Sequence, residues 1–167
     1  GFVDRTEDGN SALGPELHIL GTVAAQRYPA QDLATPCLQR LAEATGESAF
    51  FSARRGNEVI CLARVEGAFP VRSHVLYEGL RLPLGVASAG LAILGHLPPD
   101  QLETALADTR EERTRLGPQH DDAHVRRLVA QVREDGWSLN PGRIVEGSWG
   151  MAAAVFDATD QPRYALS

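Results

Sequence analysis

The alternation of apolar and polar residues divides the chain into stretches typical of helices and stretches typical of strands. Four stretches repeat apolar residues at the three-to-four-residue spacing of an amphipathic helix. They are residues 15–28, residues 33–45, a segment opened by Pro98, and residues 121–135. Pro15 and Pro98 suit the first turn of a helix, Asp32 suits an N-cap, and Gly136 suits a helix end. The pattern therefore predicts four amphipathic helices.

Six shorter stretches are rich in β-branched and aromatic residues or alternate in polarity, as strands do. They are residues 47–53, 58–65, 70–75, 137–140, 148–157 and 163–167. Asp8 and Gly9 predict a hairpin over residues 1–10, which is too small to be stable alone. Residues 108–119, dense in both signs of charge, are predicted to be an exposed connection. The order of helices, three strands, helices and three strands predicts an α+β domain with an antiparallel sheet covered by helices.

Residues 78–96, EGLRLPLGVASAGLAILGH, form the stretch with the most unusual composition. Glycine and proline punctuate its first half, and from Val86 onward the residues are apolar or very small. We expect a sharp loop that opens a helix near Ser88, whose first N–H groups are left open to a carboxylate or phosphate. The alternative is that Ser88 only caps the helix and the small residues only permit close packing. On pattern alone the alternative is favoured, because such segments are common.

Several short strings add a resemblance to this pattern. GLRLPLGVASAGLAIL, from Gly79 onward, resembles the segment at the effector pocket of IclR-type transcriptional regulators. TGE, EVICL, DGW and MAAAVFD are similar to strings of that family and stand in the same order. Each string is weak alone, but together they cover nearly the whole chain. The resemblance implies a GAF-like, profilin-like α+β fold, in which a linker helix precedes a six-stranded antiparallel sheet flanked by helices.

The resemblance also implies a division of the chain. Residues 1–13 are similar to the wing of a winged helix-turn-helix whose recognition helix is absent from this sequence, residues 14–30 to the linker helix, and residues 31–167 to the effector-binding domain. Members of the family continue past the last strand with a closing helical segment, so such a tail is expected to be omitted, disordered or truly lacking. The partners implied are operator DNA, through the winged helix-turn-helix, and further copies of the chain in a homodimer or tetramer.

The resemblance also assigns effector-binding positions. Carried over one by one, they are Val71, Ser88, Ala89, Asn140, Gly150 and Ser167. The backbone N–H groups of Ser88 and Ala89 are expected to face the effector, and Val71 is expected to form an apolar wall. Ser167 corresponds to a serine of the last strand.

Three positions depart from the family pattern. Asn140 stands where relatives often carry an acid, Gly150 stands where some carry a cysteine, and Arg143 replaces a frequently acidic residue. These changes predict a roomier and less acidic pocket. Because removing nearby negative charge lowers repulsion, a small organic acid is the expected effector.

Composition and charge narrow the class of protein. The chain has 167 residues, of which 43% are hydrophobic and 23% charged, as in an ordinary globular domain. The net charge is −6, and every positive residue is arginine. Without a basic excess, the chain as given is not expected to be a complete DNA binder. No secretory leader and no apolar run of membrane-spanning length is visible, so we expect a cytoplasmic protein with no membrane partner.

The sequence gives only weak support for catalytic or metal-binding residues. Cys61 lies mid-strand and Cys37 on an amphipathic helix, so both thiols are expected to be structural. His120 and His124 are four residues apart, but no further ligands complete a metal site, and a solvated helix start is favoured. No nucleophile motif is present. The sequence therefore predicts neither an enzyme nor a bound metal or cofactor.

The function implied by the resemblance is that of a ligand-sensing domain. The effector would bind one arrangement of the domain better than another and so shift the linked DNA-binding heads. A stand-alone GAF-like signalling module, or a small enzyme using the same cleft, is the alternative. The wing-like hairpin followed by Leu13 and Gly14 favours the regulator. Effector identity, and repression as against activation, are not determined by the sequence.

Overall fold

The computed structural model describes residues 1–25, 30–69 and 76–167 of the chain. Its strands are β1 (Val3–Arg5), β2 (Ser11–Leu13), β3 (Ala49–Arg55), β4 (Glu58–Val65), β5 (Arg81–Pro83), β6 (Ser138–Pro141), β7 (Trp149–Phe156) and β8 (Pro162–Leu166). Its helices are α1 (Pro15–Ala25), α2 (Ala30–Thr45), α3 (Ser88–Gly95), α4 (Pro99–Arg115) and α5 (Asp122–Asp135), with a 3₁₀ turn at Pro118–His120. The chain divides into two compact units, Gly1–Ala34 and Thr35–Ser167.

The first unit contains a two-stranded hairpin, helix α1 and the start of α2. Strands β1 and β2 are antiparallel, with Val3 opposite Leu13, which confirms the predicted hairpin. Helix α1 begins at Pro15 as expected, but its predicted end falls on residues outside the described ranges. Asp32 is not an N-cap, because α2 already begins at Ala30. Its carboxylate lies in the first turn, where it favours the helix dipole.

The sheet of the second unit has six described strands in the order β5-β4-β3-β8-β7-β6, and every neighbouring pair is antiparallel. Five of the predicted strands are confirmed, whereas the predicted strand over residues 70–75 lies outside the described residues. The sixth described strand is β5, where a loop was expected, and that expectation was wrong. Strand β5 has only three residues, which is too short for an alternating pattern to show. Pro83 is tolerated because β5 lies at the edge of the described sheet.

Helix α3 is the centre of the second unit. All of its residues are buried, and it contacts strands β7 and β8 as well as α5. A Cβ atom at Gly95 would lie 2.2 Å from Cγ1 of Val132. Only glycine therefore permits the observed approach of α3 to α5. Leu91 and Ile93 belong to the main hydrophobic cluster, so the small-residue stretch predicted from sequence is a core helix.

Residues 108–119 are mostly exposed, as predicted, but they are largely helical and not a connection, and two of their side chains are buried. Helix α4 runs through most of this segment to Arg115, and after two further residues the 3₁₀ turn begins. Thr109 is 3% exposed and Arg113 is fully buried. The burial of Thr109 and Arg113 could not be predicted from the density of charge. A local pattern does not show whether acceptors from other parts of the chain surround a guanidinium group.

The Arg113 guanidinium is surrounded by such acceptors. Its Nε donates to Thr109 Oγ1 at 2.9 Å, and its Nη1 donates to the carbonyl of His120 at 2.6 Å. Its Nη2 donates to the carbonyl of Leu106 at 2.8 Å and to the carboxylate of Asp122. Burial of the Arg113 charge is tolerated because the guanidinium nitrogens all donate hydrogen bonds to buried or partly buried acceptors.

Helix α5 confirms its amphipathic pattern. Val125, Val129 and Val132 are buried, and Asp121 caps the helix by accepting a hydrogen bond from the backbone N–H of His124 at 2.7 Å. Among the described residues, no helix is both long enough and apolar enough to span a membrane.

Candidate functional site

Three backbone donors at the start of helix α3 have no hydrogen bond to a described residue. Ala87 is the N-cap residue, with an extended backbone (φ −85°, ψ 161°), and no side chain of the described residues caps this end. The first helical hydrogen bond runs from Leu91 N–H to the carbonyl of Ala87 at 3.0 Å. The amides of Ser88, Ala89 and Gly90 precede that bond and carry the positive end of the helix dipole. The capping role considered for Ser88 was wrong, because Ser88 is the first helical residue.

The loop before α3 is held in one conformation by packing and by side chains of the opposite sheet edge. Gly85 has φ +93°, and a Cβ atom there would lie 3.0 Å from Cγ1 of Val125. Asn140 Nδ2 donates to the carbonyl of Val86 at 3.1 Å, and Arg143 Nη2 donates to the carbonyl of Gly85 at 3.3 Å. Strand β6 and the loop after it therefore fix two successive carbonyls of the segment that leads into the helix.

Ser88, Asn140 and Gly150 lie together in the structure. Asn140 and Gly150 are directly paired between β6 and β7. A Cβ atom at Gly150 would lie 3.0 Å from Oγ of Ser88. Ser138, which the sequence analysis missed, donates its hydroxyl to the carbonyl of Ser88 at 2.7 Å. The Ser88 hydroxyl occupies part of the space that the missing side chain of Gly150 leaves. That Gly150 makes the effector pocket roomier therefore stays a prediction.

Two buried polar atoms on this side of the sheet are without partners. Oδ1 of Asn140, a residue only 5% exposed, and Oγ of Ser167 have no hydrogen bond to any described residue. Ser167 exchanges backbone hydrogen bonds of 3.0 and 2.7 Å with Phe50. Strand alternation puts its side chain on the same face as Ala165, which packs in the α3 core. Val71, the predicted apolar wall, lies outside the described residues.

A positive side chain that the sequence analysis missed lies beside this row. Arg64 on β4 is opposite Phe50, and its guanidinium carbon lies 5.8 Å from the centre of the Phe50 ring. The Arg64 side chain is 15% exposed, and its Nη2 forms an ion pair with Glu66 at 3.1 Å. Its buried Nε has no hydrogen-bond partner among the described residues. Because Phe50 is also the backbone partner of Ser167, Arg64 and Ser167 flank the same ring.

Arg143 and His120 form a buried cluster next to the pre-helix loop. Arg143 Nη2 donates to the carbonyl of Gln119 at 2.7 Å and to His120 Nδ1 at 3.0 Å. His120 is 1% exposed, and burial together with the charge of Arg143 lowers its pKa. The hydrogen bonds assign a neutral ring whose Nε2 donates to the carbonyl of Arg143 at 3.1 Å. The expected solvated position of His120 was therefore wrong.

The same cluster keeps one positive charge near the start of α3. Burial and the nearby charge of Arg113 lower the pKa of Arg143 to about 10, so its guanidinium stays protonated at neutral pH. Nη1 of Arg143 is buried without a hydrogen-bond partner in the described part of the chain. That Arg143 makes the effector pocket less acidic stays a prediction, with which this positive charge is consistent.

The described residues offer little for covalent or metal chemistry. Burial, and then the charge of Glu78, raise the pKa of the Cys61 thiol to about 11, so this thiol is protonated at neutral pH. Cys37 is half-buried, and neither cysteine forms a disulfide. Within the described ranges, no group of three or more His, Cys, Asp and Glu side chains could hold a metal ion. The arrangement supplies hydrogen-bond donors and positive charge.

Comparison with known protein families identifies the family of this chain. The family model of the bacterial transcriptional regulator IclR C-terminal domain matches residues 22–167. The chain belongs to the IclR family. The domain is thus the C-terminal effector-binding domain of an IclR regulator, and the resemblance drawn from the sequence strings is confirmed.

Two curated relatives illustrate the match. The HTH-type transcriptional regulator BhcR of Paracoccus denitrificans is 28% identical over 155 residues, which cover 93% of this chain and 55% of BhcR. The Pca regulon regulatory protein of Pseudomonas putida is 27% identical over 165 residues, which cover 97% of this chain and 56% of the relative. The IclR-family domain therefore spans about half the length of these relatives. They are named as regulators, in agreement with the prediction that this chain is not an enzyme.

Solved structures confirm the α+β fold. IclR of Thermotoga maritima aligns with a TM-score of 0.81 at 22% identity, over 99% of this chain and 67% of that one. An IclR homolog of Microbacterium hydrocarbonoxydans, solved in complex with 4-hydroxybenzoate, aligns with a TM-score of 0.84 at 25% identity. This alignment covers 100% of this chain and 69% of that one.

Proposed function

We propose that this IclR-family domain binds a small carboxylate-containing effector at the start of α3 and thereby modulates operator binding by an oligomeric regulator. The observation that carries the proposal is the row of amides of Ser88, Ala89 and Gly90, which precede the first helical bond of a fully buried helix. Such amides, together with the helix dipole, bind anions. The complex of a homolog with 4-hydroxybenzoate supports an acid of this kind.

The surrounding polar groups support a ligand with both an anionic and a neutral polar end. Arg64 Nε and Ser167 Oγ are donors without described partners, and Asn140 Oδ1 is an acceptor without one. A bound molecule that pairs with these atoms would remove the cost of burying them unsatisfied. We assign Val71 to the apolar wall and Gly150 to the space beside Ser88, as the family pattern implies.

The carboxylate requirement is tested with matched acids and amides. Titration calorimetry of the 167-residue chain would compare 4-hydroxybenzoate with 4-hydroxybenzamide, followed by a panel of aliphatic and aromatic acids with their amides. A hydrogen bond to a charged group contributes about 1.5–3 kcal/mol, so the acid should bind roughly 10- to 150-fold more tightly. Equal affinity for acid and amide across the panel contradicts the proposal.

A backbone variant tests the position of the carboxylate. Ser88→Pro removes one amide hydrogen at the first helical position, where proline is tolerated, and the extended backbone of Ala87 suits a residue before proline. Ser88→Ala is the matched control, because it keeps the amide. We expect Ser88→Pro to lose about tenfold or more in affinity for the acid, and Ser88→Ala to lose less than about threefold. Equal losses in the two variants place the carboxylate elsewhere.

The rest of the proposed mechanism links effector binding in this domain to DNA binding by the intact regulator. We propose that residues 1–13 are the wing of a winged helix-turn-helix, that residues 14–30 are the linker helix, and that residues 31–167 sense the effector in the cytoplasm. The effector would shift the equilibrium between two arrangements of the DNA-binding heads. Titration of operator DNA with the intact regulator, with and without the acid, tests this. Unchanged affinity for DNA contradicts it.

The oligomer is supported by the surface of α1. Ile19, Leu20 and Val23 are 58%, 52% and 54% exposed, an apolar surface suited to a second copy of the chain. Operator half-sites require at least two recognition helices. Light scattering should report a dimer or tetramer for the intact regulator, and a monomer at all concentrations contradicts this part of the proposal.

A further inference from the structure

A polar cleft lies at the other end of strands β3 and β8 from the proposed effector site. Its volume is about 290 Å³, and its lining residues are Arg54, Gly56, Gln101, Gln161, Pro162 and Arg163. They come from the end of β3, the hairpin after it, the first turn of α4 and the start of β8. Arg163 and Ser167 are four residues apart on one extended segment, roughly 13 Å. The cleft is thus separate from the effector positions.

Two arginines from neighbouring strands line this cleft. Ala53 on β3 is paired with Tyr164 on β8, and Arg54 and Arg163 follow directly after this last recorded pair of the two strands. Like charges that lie close together on neighbouring strands are destabilising. Arg54 is half-buried, and burial together with the charge of Arg163 lowers its pKa. The protein alone therefore holds two cations in an unfavourable arrangement.

The protein supplies only partial compensation for these charges. Arg54 Nε donates to the carbonyl of Gly56 at 2.9 Å, and its Nη1 donates to Gln101 Oε1 at 3.3 Å, so both acceptors are neutral. Arg163 Nε pairs with Asp157 at 2.9 Å. The other carboxylate oxygen of Asp157 accepts hydrogen bonds within its own turn. In the described part of the chain, Arg163 thus has one carboxylate partner, Arg54 has only neutral partners, and the other Nη donors of both groups form no hydrogen bond.

We propose that this cleft is a second binding site, which takes the phosphate or carboxylate group of a small polar metabolite between the guanidinium groups of Arg54 and Arg163. Guanidinium groups bind both oxyanions through paired N–H donors. An oxyanion placed between the two arginines replaces their repulsion by two attractions. The amides of Gln101 and Gln161 can donate to or accept from the rest of the ligand. The cleft is near the lower limit of about 300 Å³ for ligand pockets, so the ligand is small.

Inorganic phosphate and succinate are the probes for this site. Thermal unfolding of the 167-residue chain would be followed at constant ionic strength in chloride, phosphate or succinate. The variants are Arg54→Gln and Arg163→Gln. The matched control is Arg127→Gln, an exposed arginine on α5 that does not line the cleft. We expect phosphate, succinate or both to raise Tm in the wild type and in the control, and to raise it much less in the two cleft variants.

The pattern of probes identifies the ligand group. A shift with phosphate alone indicates a phosphate ligand, a shift with succinate alone indicates a carboxylate, and a shift with both indicates a general oxyanion site. The proposal is overturned if neither probe raises Tm at about 10 mM, well above the usual range of metabolite affinities. It is also overturned if the cleft variants respond as strongly as Arg127→Gln.

Two further measurements separate this site from a structural role and from the effector site. In chloride alone, Arg54→Gln should raise Tm, because it removes one of two like charges that lower each other's stability in the cleft. A lower Tm would indicate that Arg54 has a structural role, and would count against the proposal. In heteronuclear NMR spectra, phosphate should shift the side-chain amide signals of Gln101 and Gln161. Shifts confined to the amides of Ser88 and Ala89 would place the anion at the effector site, which overturns the second site and supports the first.

Discussion

Replacing Arg113 by methionine should destabilise the domain far more than the same replacement of Arg110. The two arginines lie one turn apart on α4 and contact the same carboxylate, that of Asp122. The Arg113 side chain is fully buried, whereas the Arg110 side chain is 65% exposed. The pair therefore compares a buried arginine with an exposed one in the same local sequence and with the same ionic partner.

The magnitude follows from the hydrogen bonds that each change removes. Methionine preserves much of the apolar stem of Arg113, but it removes the donors to Thr109, His120, Leu106 and Asp122. A buried acceptor left unpaired costs about 1–3 kcal/mol, and breaking a buried ion pair costs about 3–5 kcal/mol. Since Asp122 keeps Arg110, we take the lower part of this range, about 3 kcal/mol. Losing the exposed pair of Arg110 should cost about 0–1 kcal/mol.

Urea unfolding followed by far-ultraviolet circular dichroism measures both free energies of unfolding. The midpoint should fall for Arg113→Met while the slope with urea stays constant, because the surface exposed on unfolding is unchanged. A loss of about 3 kcal/mol corresponds to a decrease in Tm of roughly 6–12 °C for a chain of this size. If the two variants differ by less than about 0.5 kcal/mol, Arg113 behaves as a surface residue, which contradicts the prediction.

Two further predictions concern the effector site and the buried thiol. Asn140→Asp should weaken binding of a carboxylate effector by about tenfold or more but affect its amide little, because it adds a negative charge beside the helix start. Calorimetry with the matched pair measures this, and an equal loss for both ligands contradicts it. Cys61 should resist alkylation at about pH 8 and react only on unfolding, since its pKa of about 11 leaves roughly one thiolate in a thousand. Mass spectrometry of labelled peptides measures the rate, and rapid labelling of the folded chain contradicts the prediction.

Periodicity predicted most of the regular elements because it is a local property of the sequence. Residues three or four apart share a helix face, and alternate residues share a strand face. Helix α5 and strand β4 have enough residues for these periods to show, and both were predicted correctly. Strand β5 was missed because three residues contain no full period, and its pairing with β4 is made by distant residues.

The candidate site likewise combines features that local patterns predict with features that depend on distant residues. The small residues around Ser88 and the matching strings indicated where the helix starts, and the family pattern added Asn140 and Gly150. The inward position of Arg64 could not be predicted, because an arginine at a strand end usually faces solvent. A bulge between Phe51 and Ser52 shifts the register of β3 against β4, and only this register sets Arg64 opposite Phe50.

The sequence by itself determined the family, most of the helices and strands, and the small-residue helix at the centre of the domain. These follow from local spacing and from short strings, which require no knowledge of the distant neighbours of a residue. Only the tertiary structure decided that Arg113 is buried, that Ser88 lies against Gly150, and that Arg54 and Arg163 line one cleft. Each of these contacts joins separate elements through strand register and helix packing, so its energy depends on partners that no local pattern identifies.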